Sequence, residues 1–263
     1  MTLRDKAQVA RQFSRAASSY DAAAGVQQRA VTALLEQLPG IGGHWADIGC
    51  GTGVALPHLR HRGAAQVTAV DLAPGMLEVA QQYADDCIYF ALADADHLPF
   101  DDHALDGIFS SLMLQWSESP EATLREWFRV LNPSGTLATA TLLPGTQREL
   151  QQAFAQVDDH KHVNDFVSAD SLIATIRSVG FDHIRYERRC LTEVYPTLTA
   201  LLRGLKDIGA TNVNAGRRSG LGGRAALKAL EAAYPKIMHD GGPSYPLSYE
   251  VLWVVASKHA QTA

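Results

Sequence analysis

Residues 46–54 read Ala46-Asp47-Ile48-Gly49-Cys50-Gly51-Thr52-Gly53-Val54. An apolar run that ends in an acid and is followed by alternate glycines can do chemistry. The run itself reads as a buried parallel strand. Glycines then let the backbone adopt conformations closed to other residues and come close to a ligand. A helix pattern opens near Val54, with Leu56 and Leu59, so its first amides look toward the same spot. The spacing excludes two common ligands. A phosphate cradle would close on Lys-Ser or Lys-Thr, and none follows here. A dinucleotide loop, G-x-G-x-x-G, would place its third glycine three residues after the second, whereas here it comes after two. Further along, Gln66-Val67-Thr68-Ala69-Val70-Asp71 is again a strand ending in an acid, and Ala93-Asp94-Ala95 follows the strand-like Cys87 to Leu92.

Acid, glycine loop, acid, acid in this order resembles the class I S-adenosylmethionine (SAM) methyltransferases over residues 40–145. The resemblance implies SAM as cosubstrate, a ligand with a cationic amino acid end, a sulfonium and no phosphate. It implies Asp47 near the methionyl ammonium, Gly49 and Gly51 as backbone contacts, Asp71 on the ribose and Asp94 on the adenine amino group, with Ala95 beside it. Met76 lies on the adenine face or simply fills the core. Gln115 and Trp116 line the methyl-donor end.

Three further stretches resemble one branch, the malonyl-acyl-carrier-protein O-methyltransferases of biotin synthesis. They are Phe13-Ser14-Arg15-Ala16-Ala17-Ser18-Ser19-Tyr20-Asp21 with Gln27, then Leu114-Gln115-Trp116, and then Leu202-Arg203-Gly204-Leu205-Lys206-Asp207 continuing to Arg217 and to Pro246-Leu247-Ser248-Tyr249-Glu250-Val251. Tyr20 and Gln27 resemble lid residues near the SAM carboxylate or the acceptor, though Tyr20 reads equally well as packing. The resemblance implies methyl transfer to the free carboxylate of a malonyl thioester on acyl carrier protein. A carboxylate is ionised near neutral pH, with pKa near ~4, so no general base is needed. Holding it in line is what remains, and an arginine fork suits a carboxylate. Arg203 is the first candidate, ahead of Arg217, Arg218 and Arg15.

These residues need a scaffold. Apolar positions at Val9, Phe13, Ala16 and Ala17 predict a short helix over 4–18, interrupted at Ser18-Ser19-Tyr20-Asp21, and a second helix over 22–38 stopped by Pro39-Gly40. Strands at 44–48, 66–70, 87–92, 105–110 and 135–142 alternate with helices at 54–62, 74–84 and 119–131. Helices near 146–157 and 169–179 lead to a strand at 183–190, and Tyr249 to Ser257 is a β-rich last strand. The expected fold is α/β: a doubly wound, mostly parallel seven-stranded Rossmann-like sheet. Residues 1–40 form a helical lid, 41–195 the SAM-binding core, 196–248 a helical cap inserted before the last strand, and 249–263 that strand and the tail. The insertion, with helices at 196–205 and 225–238, is long enough to serve binding.

The 263 residues are 46% hydrophobic, with a formal net charge of -5 and a mean hydropathy of -0.08. This fits a globular protein with a sizeable core. No apolar run is long enough for a transmembrane helix, and Met1 to Lys6 carries no secretory h-region. Cys50, Cys87 and Cys190 are odd in number and far apart, so no disulfide framework or zinc site is expected, and a cytoplasmic monomer is the simplest reading. His160-Lys161-His162 reads as an exposed loop rather than a metal site. Residues 177–236 hold eleven basic side chains against five acids. An acidic partner would meet that excess, and acyl carrier protein is one. Nucleic acid is not expected, since the chain is acidic overall and lacks a basic stripe with interleaved aromatics. The rival readings are a SAM methyltransferase of a quinone precursor or free polycarboxylic acid, and a SAM-binding protein without catalysis.

Overall fold

In the computed structural model, which describes residues 5–38, 40–209 and 223–258, two helices precede the sheet: α1 (Lys6–Ala23) and α2 (Gly25–Glu36). The first runs straight through Ser18 to Asp21, where a break was expected. The Ser19 hydroxyl explains this, bonding back to Ala16 O at 3.1 Å within the helix and reaching Asp207 O at 3.1 Å outside it. Buried Ala16 and Ala17 hold the same stretch against the protein.

The core alternates as the pattern predicts: β1 (His44–Ile48), α3 (Leu56–His61), β2 (Gln66–Asp71), α4 (Pro74–Ala80), β3 (Ile88–Leu92), β4 (Leu105–Ser111), α5 (Pro120–Val130) and β5 (Leu131–Leu142). Then come α6 (Arg148–Phe154), α7 (Ala169–Val179), β6 (Phe181–Tyr195), α8 (Leu198–Asp207), α9 (Arg224–Ala233), β7 (Ile237–His239) and β8 (Gly242–Lys258). The main sheet has the order β3-β2-β1-β4-β5-β8-β6, with β7 paired to β8 off this path. The pairs from β3 to β5 are parallel, and those of β8 with β5 and β6 are antiparallel. The strand order reverses between β1 and β4. Such a switch point opens a crevice at the carboxyl ends of the strands.

The doubly wound fold and its seven-stranded main path agree with the expectation. The inserted segment is less purely helical than expected, because β6 and β8 run on as a long ribbon pairing Thr192 with Ser248 and Tyr195 with Tyr245. Residues 237 and 238, expected at the end of a helix, belong instead to β7. Two apolar layers sandwich the sheet. One contains Trp45, Phe109 and Trp253, and the other Ile48, Trp127 and Phe181. Among the described residues no helix is long and apolar enough to cross a membrane. Arg217 and Arg218 lie outside the described residues.

Candidate active site

The loop after β1 carries Gly49 at φ +72 and Gly51 at φ +54. A Cβ on Gly49 would sit 2.3 Å from Met113, whereas one on Gly51 would meet nothing within 4 Å. Gly49 is thus required by packing. Gly51 borders open space that a ligand could fill. The loop is tied to the end of β2, where the Asp71 carboxylate accepts from Gly51 N at 2.9 Å and from Ala73 N at 2.8 Å. Burial raises the Asp71 pKa, and those backbone N–H groups pull against the rise.

Above the crevice a cavity of about 160 Å³ is walled on one side by Gly49, Gly51, Asp71 and Met76, and on another by Asp94, Ala95, Gln115 and Trp116. Tyr20 and Gln27 come down from α1 and α2. Ten of the twelve expected site residues therefore meet around one space. Asp47 lies in a small adjoining chamber with Gln27, Thr52 and Ser111. It is only 2% exposed, and burial, then the charge of Asp71, push its pKa up to about 8. Arg203 stands apart: it is exposed on α8, and the cavity touches that region through Ile208 instead.

Local chemistry fixes these side chains. Gln115 Nε2 donates to Leu112 O at 2.5 Å and its Oε1 accepts from Thr141 at 3.2 Å, so both ends of the amide are held. Leu112 adopts φ 55, a strained value for a branched residue, at the tip of β4. Trp116 packs edge-on against Phe13 of α1, 5.3 Å between ring centres. Met76 is 1% exposed yet reaches the cavity wall, so it serves both the core and the site. Burial first, then Asp71 and Asp21, push the Tyr20 hydroxyl above its ordinary range, which keeps it a neutral donor. The Ser111 hydroxyl, at the join of cavity and chamber, is buried without a hydrogen-bond partner. A ligand that is polar at that point would satisfy it.

Among the cavity residues that sequence reasoning missed are Lys6, Gln147, His162, Asn164 and Tyr249. Lys6 of α1 bonds Asp94 at 2.7 Å and Asp96 at 2.5 Å. Burial alone would lower its pKa, but the hydrogen bonds and negative charges of the two acids together outweigh it and raise it. Burial pushes the Asp94 pKa up, but the Lys6 hydrogen bond, the Asp96 N–H and the nearby positive charges together bring it below its ordinary range. His162, expected to be an exposed loop residue, is half-buried, stacks on Phe154 at 3.5 Å and pairs with Asp158 at 2.8 Å. Only Tyr249 carried a signal, through the Pro246 to Val251 stretch.

A family profile described as "Methyltransferase domain" matches residues 46–139, the segment that holds the glycine loop and the acids Asp47, Asp71 and Asp94. The malonyl-acyl-carrier-protein O-methyltransferase of Yersinia pestis is 40% identical over 259 residues, covering 95% of this chain and 91% of that protein. The "Biotin biosynthesis bifunctional protein BioHC" of Teredinibacter turnerae is 37% identical across 96% of this chain, and the chain spans 47% of its length. Among solved structures, the YcgJ protein of Bacillus subtilis aligns with TM-score 0.63 at 17% identity, covering 88% of this chain and 99% of that one. At that identity the likeness shows the fold alone.

Proposed function

The chain belongs to the malonyl-acyl-carrier-protein O-methyltransferase family, and from that premise we propose that it transfers the methyl group of SAM to the free carboxylate of malonyl-acyl carrier protein. The observation that carries the reading is the single cavity on which Asp71, Asp94, Gly51, Gln115 and Trp116 converge. The residues present fit SAM. Acids end β2 and follow β3, an open glycine cradle lies between them, and a buried hydroxyl waits for a partner.

When bound, SAM supplies a methyl group already activated on a sulfonium. A carboxylate oxygen forms the new C–O bond as the S–CH₃ bond breaks and sulfur keeps the electron pair. The products are a neutral methyl ester and a neutral thioether. The chain's part is to bind, align and exclude water, and alignment can contribute up to roughly 7–11 kcal/mol. In this reading Asp47 and Gln27 receive the methionyl end, Asp71 the ribose and Asp94 with Ala95 the adenine. Met76 lies against its face, and Gln115 and Trp116 border the methyl. Tyr20 donates from the lid. Arg203, exposed on α8, addresses the incoming anion from outside the cavity.

The test is incubation with methyl-labelled SAM and malonyl-acyl carrier protein. A base-labile labelled ester is expected, and acetyl-acyl carrier protein, which has no free carboxylate, stays unlabelled. Equal labelling of both, or of neither, would overturn the proposal.

A further inference from the structure

Among the described residues the cavity holds no free cation. No arginine lines it among the described residues, and its one lysine, Lys6, is committed to Asp94 and Asp96. Much of the wall is apolar: Phe13, Met113, Leu142, Phe166 and Ile208. This suits a reaction in which an anion meets a cationic methyl donor and both charges vanish. A guanidinium inside would stabilise the starting anion more than the neutral ester. A dry wall with a few neutral donors aligns the oxygen without quenching it.

Such donors sit at one corner. Tyr249 is 3% exposed and lines the cavity together with Gln147. Burial holds the phenol above its ordinary range, so it keeps the O–H that it can donate. Gln147 holds φ 57, a left-handed conformation that L-residues adopt only where their surroundings impose it. The surroundings do so. Gln147 N donates to Ser248 O at 2.6 Å, and buried Glu149 accepts from Ser248 N at 3.0 Å and Ser248 Oγ at 2.6 Å. Thr146 bonds both the N–H and the carbonyl of Glu250, at 3.0 and 3.3 Å. Five hydrogen bonds thus staple the start of α6 and the turn before it to β8 on either side of Tyr249.

We propose that Tyr249 and Gln147 are the residues that position the acceptor carboxylate in line with the methyl group, through neutral hydrogen bonds. The assignment rests on the function proposed above and names the acceptor end of that same site. Arg203 then acts on approach, and the corner acts at the moment of transfer.

Initial rates with malonyl-acyl carrier protein, alongside SAM affinity by calorimetry, test it in three variants. Tyr249→Phe lowers kcat/KM by about 10- to 100-fold, the loss typical of a hydrogen bond to a charged group. SAM affinity stays within about twofold. Gln147→Ala lowers kcat/KM by about tenfold. Gln147→Glu, closest in shape to the native side chain, falls below Gln147→Ala, because its charge repels the anion. A purely structural role would rank them the other way. Rates within about twofold of wild type for Tyr249→Phe and Gln147→Ala overturn the assignment. So does Gln147→Glu at or above Gln147→Ala, or SAM affinity falling in step with the rate. A wild-type enzyme that leaves malonyl-acyl carrier protein unlabelled is a different failure: it refutes the function itself, and this assignment with it.

Discussion

Asp47 is a carboxyl that the fold keeps from ionising. Its pKa of about 8 stands far above the unfolded value of about 3.9. Between those values the unfolded chain has released a proton that the folded chain retains. This group's contribution to stability therefore falls as pH rises through that window and is constant above it. Asp47→Asn removes the penalty. Its gain in Tm over wild type, measured without ligand, is expected to grow from about pH 4 to about pH 8 and then level off. The same substitution weakens SAM binding. On the proposed reading the ammonium ionises Asp47, so binding near pH 7 releases close to one proton, seen as a binding heat that changes with buffer ionisation enthalpy. Identical heats in two such buffers would contradict the pairing. Gly51→Ala separates fold from cradle. At φ +54 the new Cβ costs roughly 1–2 kcal/mol of strain but meets no neighbour, so the protein still folds while SAM affinity drops by more than the Tm shift implies. Residues at strand ends, such as Asp47 and Asp71, were legible because a strand followed by glycine or an acid is a local pattern. Gln147 and His162 were not. They belong to stretches distant in sequence that only the folded sheet brings to one wall.

The element that closes the site is α1. Lys6 reaches Asp94 and Asp96 at its first turn, Ser14 Oγ accepts from Gly75 N at 3.3 Å midway, and Asp21 accepts from Thr52 at 2.6 Å near its end. A helix pinned at three points over the loops behaves as a closed lid. A Cβ on Gly75 would come 2.8 Å from Ser14 O, which is backbone and cannot swing aside. Gly75→Ala is therefore expected to lift α1, raise KM for SAM by about tenfold and increase amide exchange over residues 6–23. Gly40→Ala, with nothing near its new methyl, changes neither. Lys6→Ala releases one end only. For a partly exposed pair worth roughly 0.2–1 kcal/mol, SAM dissociation should quicken by no more than about fivefold. The first four strands were readable to within one residue from apolar runs, and β5 at its end but not at its start, which lies at Leu131 rather than at 135. The ribbon of β6 and β8 was not, since Pro243 and Pro246 lie inside β8 and proline ordinarily argues against a paired strand. The break expected in α1 failed for a tertiary reason, the Ser19 contact to α8.

At the scale of the molecule the charges are sorted by region. Residues 177–236 carry an excess of six positive charges by formal count, while the whole chain is -5. Arg185, Arg188 and Arg189 are exposed along β6, Lys206 on α8 and Lys228 on α9. Arg188 and Arg189 are partly neutralised, by Asp170 at 2.7 Å and Glu187 at 2.6 Å. Of these five, Arg185, Lys206 and Lys228 therefore contribute most to the long-range field. An acidic carrier protein approaching this side would be steered by attraction that decays over a Debye length of about 10 Å at 0.1 M salt. A small malonyl thioester with no protein attached would feel far less of it. Raising salt from about 0.05 to 0.3 M is thus expected to cut kcat/KM for malonyl-acyl carrier protein by about tenfold. Turnover at saturation should barely move, because the corner formed by Gln147 and Tyr249 lies inside, where salt does not reach. Lys228→Glu combined with Arg185→Glu should lower kcat/KM at low salt and flatten its salt dependence, leaving SAM affinity unchanged. A salt slope identical in the double variant and the wild type would place the docking face elsewhere on the molecule. Steering from outside and neutral alignment within would then be separable, one governing how often the carrier arrives and the other how fast its carboxylate reacts.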